Sequence, residues 1–162
     1  MWGKKKAAML EPGGRAPSFE LKSLHGEKQS LEDILGKGPA LLAFYKVSCP
    51  VCQLTAPYLE RLAAGSALQV VGISQDDDSS TKGFNQRFGV TFPTLLDQSK
   101  ESYPASNAYG ITSVPSLFLV EKDGGIAQAF SGFSKRDLEA VGARAGVKPF
   151  LPEDNVPDWK AG

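Results

Sequence analysis

The chain is short of the residues from which a metal site or a disulfide scaffold is built: it has one histidine, His25, and two cysteines, Cys49 and Cys52. A structural zinc site takes four Cys or His ligands, so these three cannot complete one within a single chain. Gln53 stands where an attached haem would need histidine, which excludes that motif. A disulfide between residues three apart closes a tiny loop and removes little unfolded-state entropy, so stapling is a poor account of the pair. Excess charge is missing too: eighteen Lys and Arg balance eighteen Asp and Glu. No global field draws the molecule to nucleic acid or to an anionic membrane surface, and neither is expected as a partner. No apolar run approaches the roughly 20 residues of a spanning helix. Lys4-Lys5-Lys6 is followed only by Ala7-Ala8-Met9-Leu10 before Glu11 and Pro12, short of the apolar stretch of about 7–15 residues in an export signal. On this reading the protein leans to the cytoplasm.

What is present is enough for one domain. The chain has 162 residues, 41% of them hydrophobic, so it can bury a core without staples. Residues 1–16, rich in Lys, Gly and Pro, are expected as a mobile lead-in, 17–146 as the domain, and 147–162 as a tail. Phe150, Val156 and Trp159 make that tail too apolar for a solvated linker, so it is expected to dock. Phe19, Leu21 and Leu24 suggest an edge strand. Ser30 with Asp33 has the spacing of a capping box for a short helix ending at Gly36. Residues 40–45 are continuously apolar, as in a central strand covered on both faces. A helix over about 49–64, with Pro57 as a kink, a buried strand over 68–73 and a helix ending at Gly89 follow. A short strand at 94–96 and a helix within 99–109, broken or delayed by Pro104, come next. Residues 117–120 and 126–130 then flank a tight turn as a hairpin, and Ser134 with Asp137 caps a last helix. The order, βαβα then βαββα, predicts an α/β protein with a mixed sheet and helices on both faces.

The chemistry concentrates in Cys49-Pro50-Val51-Cys52, where a buried strand gives way to a helix. Unpaired N–H groups and the positive end of the helix dipole favour a thiolate at the first cysteine, which makes Cys49 the candidate nucleophile. Cys52 comes round about one turn later, in reach of a mixed disulfide at Cys49, as the candidate resolving thiol. Pro50 takes the position where a missing N–H costs the helix nothing, and Val51 adds no charge. Only moderate acidity is therefore expected at Cys49.

With those residues in view, the stretch 41–57 resembles the active-site strand and helix of thioredoxin-fold oxidoreductases. Pro57 matches the proline inside their helix, and Val114-Pro115 before an apolar strand matches their cis-proline, an expectation the resemblance alone supplies because X-Pro bonds are cis only about 5–6% of the time. The longer interval from Cys52 to Val114, with Ala16-Pro17-Ser18-Phe19 at the front, is similar to the TlpA-like branch of the AhpC/TSA superfamily. The resemblance covers about residues 14–145. It implies a thioredoxin-like three-layer sandwich with an N-terminal extension and a βα unit inserted at 90–109, between the Cys-x-x-Cys helix and the cis-proline strand. It also implies thiol-disulfide exchange with disulfide- or dithiol-bearing proteins, with an external thiol reductant; no cofactor, no metal and a monomer are expected. Substrate contacts are expected at Val114, Pro115, Pro50 and Val51, where an extended segment can pair with free backbone groups.

Three positions depart from the pattern. Ser48 replaces a common Trp. Ala43 stands where thioredoxin has a buried Asp that helps deprotonate the resolving cysteine, and Asp76 and Glu60 are the acids that can substitute. Leu42 and Lys46 replace the Pro and Thr that precede a peroxidatic cysteine, which weakens the alternative of a thiol peroxidase using Cys49. A thiolate metal carrier is the non-enzymatic alternative. Tyr45, Lys46, Ser48, Phe92 and Pro93 are expected to border the site. Asp76-Asp77-Asp78 reads as a solvated turn and helix cap in preference to a cation site, and His25 as a loop residue.

Overall fold

The computed structural model describes residues 8–65 and 67–162. In chain order it contains β1 (Glu20–Ser23), β2 (Lys28–Ser30), α1 (Leu31–Leu35), β3 (Ala40–Tyr45), α2 (Pro50–Ala63), β4 (Gln69–Ser74), α3 (Asp78–Phe88), β5 (Thr94–Leu96), α4 (Pro104–Ala108), β6 (Ser116–Val120), β7 (Ile126–Ser131), β8 (Phe133–Ser134), α5 (Lys135–Ala145) and β9 (Trp159–Lys160). Seven strands make one sheet in the order β2-β1-β5-β4-β3-β6-β7. β3, β4 and β5 run parallel; β6 and β7 on one side and β1 and β2 on the other are antiparallel. The mixed sheet and the inserted β5–α4 unit agree with the expectation. β1 does not: β2, which has no apolar signature, takes the edge and leaves β1 inside the sheet.

All six residues of β3 are buried because each face of the sheet has its own cover. Leu41, Ala43 and Tyr45 join a core with α2, Phe84 of α3 and α5, whereas Ala40, Leu42 and Phe44 join one with α1, α4 and Tyr109. That is the period-two alternation of a strand sandwiched between helical layers. Local signals set the ends: Ser30 and Asp33 form the reciprocal capping box of α1, and Gly89, at φ 70°, closes α3 in the left-handed region. α2 continues through Pro57 without interruption.

Both terminal segments are held against the domain. Of the expected mobile lead-in, residues 1–7 lie outside the described residues. Residues 8–16 are pinned: Leu10 N donates to Tyr109 O (3.3 Å), Gly13 N to Ile126 O (2.9 Å) and Ala16 N to Gly124 O (2.8 Å), while Met9, Leu10 and Ala16 pack on the second core. A composition rich in Gly and Pro suits a chain that follows a hairpin closely as well as a loose one, so composition alone could not separate the two. In the tail, Phe150 meets Tyr58 (centroids 4.9 Å) and Phe133 (5.7 Å). Asp154 takes a bidentate pair from Arg61 at 2.7 and 3.1 Å, and β9 pairs with β8. Gly142 in α5 permits this approach, since a Cβ there would lie 2.4 Å from Val147 O.

Candidate active site

β3 delivers the chain to the surface, and residues 46–48 turn it into α2. Cys49 is the N-cap of that helix (φ −84°, ψ 114°), with Pro50 as first helical residue. Its Sγ accepts the otherwise orphan N–H of Cys52 at 3.1 Å, the position in which an N-cap acceptor gains most from the helix terminus. Its thiol donates in turn to Val114 O at 3.3 Å. The Val114-Pro115 peptide is cis, as the sequence resemblance implied, and it is the Val114 carbonyl that meets the sulfur. Ser116 Oγ donates to Ser113 O (2.7 Å) and Gly132 N to Pro115 O (2.9 Å), holding that loop from both sides.

The two thiols are unequal. Both are free; Cys49 is half-buried and Cys52 is buried. Burial pushes the Cys52 thiol well above the usual thiol range; its hydrogen-bonded contact with Cys49 and the nearby charge of Asp76 add to this, and the backbone N–H of Lys46 works in the opposite direction.

The turn that carries Cys49 is clamped at one residue. Val47 N donates to Asp76 Oδ2 (2.8 Å), and Val47 O accepts from Gln53 Nε2 (3.0 Å). Asp76 is itself oriented by its N–H donating to Ser74 Oγ (3.1 Å). Glu60, the other acid considered for the vacancy at Ala43, is occupied elsewhere, accepting from the Thr91 backbone and hydroxyl and from Phe92 N. Of the two acids, Asp76 is the one whose charge bears on Cys52.

The structure brings Cys49, Cys52, Pro50, Val51, Val114 and Pro115 together, with Val51 buried and Pro50 exposed. Lys46 and Ser48 are exposed on the turn. Tyr45 and Phe92 belong to the core that contains Cys52 and are not surface walls. The Tyr45 hydroxyl donates to Asn85 Oδ1 at 2.8 Å, and burial raises its pKa. Pro93 is exposed, its carbonyl accepting from Gly72 N (2.8 Å). The acidic triplet divides: Asp76 serves Val47, Asp77 caps α3 through Ser80 N (2.7 Å), and Asp78 Oδ1 accepts from Ser79 N (2.8 Å). Among the described residues, no three His, Cys, Asp or Glu side chains are grouped to hold a metal ion. Sequence reasoning missed Gln53 as a clamp and missed Gly162, which lies against Val114; the first has only its place one residue after Cys52 as a signal, the second none.

A thioredoxin-like sheet with a Cys-x-x-Cys pair at a helix N-terminus facing a cis-proline defines a thioredoxin-fold redox protein. The family comparison narrows this: the AhpC/TSA family model matches residues 12–129, and the chain belongs to that family. Thiol-disulfide oxidoreductase ResA of Geobacillus kaustophilus is 33% identical over 133 residues, covering 78% of this chain and 74% of the relative. A Chlorobium tepidum structure described as a thiol:disulfide interchange protein DsbE has a TM-score of 0.71 at 26% identity, over 83% of this chain and 95% of that one. The thioredoxin domain of a thiol-disulfide oxidoreductase from Bacteroides vulgatus reaches 0.74 at 22% identity, over 83% and 97%, and speaks to the fold. The family match ends before α5, so the tail lies outside it.

Proposed function

We propose that Cys49 and Cys52 exchange disulfides through a two-step reaction. The chain is a thiol-disulfide oxidoreductase, and disulfide-bearing proteins are its substrates. The Cys49 thiolate attacks one sulfur of a substrate disulfide, forming a mixed disulfide and expelling the other sulfur as thiolate. Cys52 then loses its proton and attacks Cys49 Sγ, closing the Cys49–Cys52 disulfide and releasing the second substrate thiol. Two electrons pass to the substrate, and an external thiol reductant returns them to the pair. The same steps run backwards transfer a disulfide to a dithiol. Asp76 takes the proton of Cys52, the service that a buried acid at the position of Ala43 would otherwise perform.

The observation that carries this reading is the unequal pair: a half-buried cysteine capping a helix N-terminus with the second, buried thiol one turn behind it. The test is the reduction potential of the pair in a glutathione redox series, with Cys49→Ser and Cys52→Ser as controls. A reversible two-electron couple near or below about −230 mV makes the protein a reductant, and one at about −120 to −180 mV an oxidant or isomerase. Failure of any Cys49–Cys52 disulfide to form reversibly overturns the reading.

A further inference from the structure

Residues 46–49 form a hydrogen-bonded turn, closed by Cys49 N donating to Lys46 O at 3.3 Å. Such a turn uses only its first carbonyl and its last N–H, so the peptide groups at its centre need partners from elsewhere. Both polar groups of Val47 find them in side chains: its N–H in Asp76, at 2.8 Å, and its carbonyl in Gln53 Nε2, at 3.0 Å. Gln53 also donates its backbone N–H to Cys49 O at 3.0 Å. This residue of α2 is thus bonded to the chain on either side of Ser48, and it fixes the path by which β3 enters the helix at Cys49.

Of the hydrogen bonds that hold the reacting cysteine, the exchange reaction weakens those that involve sulfur or carboxylate. The Cys49 thiol donates to Val114 O, but a thiolate or a mixed-disulfide sulfur has no proton to donate. The Cys52 N–H that caps Cys49 Sγ meets a neutral sulfur in the mixed disulfide, a weaker acceptor than the thiolate. Asp76 holds Val47 N as a carboxylate; once it carries the proton of Cys52 it is uncharged and also accepts more weakly. The Gln53 amide does not titrate, so its bond to Val47 O survives every stage of the transfer.

We propose that Gln53 is a positioning residue for the resolving step: by holding Val47 O it keeps Cys49 Sγ in line for attack by Cys52 while the mixed disulfide stands. The proposal rests on the exchange reaction above and adds a residue to it. Cys52 is buried in the core under α2, its place set by the helix, so the approach of the two sulfurs depends on where the turn holds Cys49. That approach is intramolecular, and its rate follows the alignment of the two groups; a displacement of about 1 Å can cost on the order of 100-fold. The first attack is bimolecular, and a disulfide arriving from solution adjusts its own approach to the sulfur. Loss of the Gln53 bond therefore falls on the second step.

Mixing the reduced protein with excess 5,5′-dithiobis(2-nitrobenzoate) in a stopped-flow instrument reads both steps. Cys49 expels one thionitrobenzoate as the mixed disulfide forms, at a rate proportional to reagent concentration; Cys52 expels the second as the Cys49–Cys52 disulfide closes, at a rate independent of it. Cys52→Ser, which can release only the first, identifies the second phase. In Gln53→Met, which keeps the length of the side chain and removes the donor, the second phase is expected to slow about tenfold and the first to change by less than about twofold. Gln53→Asn keeps the amide but is one methylene shorter; it carries the same expectation and decides the matter should Gln53→Met fail to fold. A second phase that is unchanged or faster overturns the positioning role, and so does equal slowing of both phases, the result of general disorder at the site. Release of only the first thionitrobenzoate by the unaltered protein sinks the resolving step itself, and the assignment to Gln53 with it.

Discussion

On one face of the sheet, Phe44, Tyr109 and Phe118 stack with centroids 5.2–5.8 Å apart among aliphatic side chains from α1 and α4. On the other face the same strands present Leu41, Ala43 and Tyr45 to a core that holds Cys52 and a polar band, with Tyr45 bonded to Asn85, Asn85 to Thr94, and Ser74 to Thr81. The first face is aromatic packing around Phe118, with its hydrogen bonds at the start of α4, where buried Asp97 accepts from Ala105 N and Ser106 N, and at the Tyr109 hydroxyl, which donates to Pro17 O. The second combines packing with hydrogen bonds whose loss would leave buried polar atoms unmatched. The contrast teaches that the sheet separates two duties: the α1/α4 side supplies rigidity, and the α2/α5 side spends some apolar area on chemistry.

Four experiments break or sharpen that division. Cys49→Ser should abolish disulfide reduction while leaving the melting temperature close to that of the reduced parent; retained turnover would mean that Cys52 or another nucleophile suffices. Phe118→Ala, on the opposite face, should cost about 3–5 kcal/mol of stability in denaturant titrations, with the reduction potential of the folded fraction unaltered. A shifted potential would show that the faces are coupled. Asp76→Asn keeps an acceptor for Val47 N but removes the base, so rapid quenching should show mixed-disulfide release slowed about tenfold at pH 7. Because the Asp76 charge itself raises the Cys52 pKa, faster release in this variant would assign Asp76 a purely electrostatic influence and end its role as proton acceptor.

The smallest effect concerns pH. The Cys52 pKa is raised by folding, so its contribution to stability is complete below the ordinary thiol value of about 8.5 and is lost progressively as pH rises from there toward the folded-state value. Thermal melts of the reduced protein should fall more steeply between about pH 8.5 and 10 than those of Cys52→Ser. Tyr45 and Tyr109, also raised by burial, act in the same direction only above about pH 10. Parallel curves for parent and variant would refute the buried, neutral thiol.

Where a structural decision is local, the sequence displayed it. Ser30 and Asp33 three apart, Gly89 after Phe88, and a six-residue apolar run ending at two cysteines are physical instructions readable within one turn or one strand. The features that escaped depend on distance along the chain. The pairing of Val47 N with Asp76 spans 29 residues, and both ends of such a contact look like ordinary loop residues until the β3–β4 register places them side by side. β2 escaped because Lys-Gln-Ser carries no apolar alternation; it forms by pairing with β1 and not by burying a face. The closeness of Gly162 to Val114 exists only after β9 has found β8.

The pinned lead-in has a consequence for solubility. β7 is an edge of the seven-stranded sheet, and such edges invite other chains to add strands and aggregate. Here Gly13, Gly14 and Ala16 hydrogen-bond Ile126 and Gly124 at the start of that strand, and Arg15 bridges to Gly125, while the opposite edge is a strand of only three polar residues. The two borders of the sheet at which added strands would build fibres are thereby blunted.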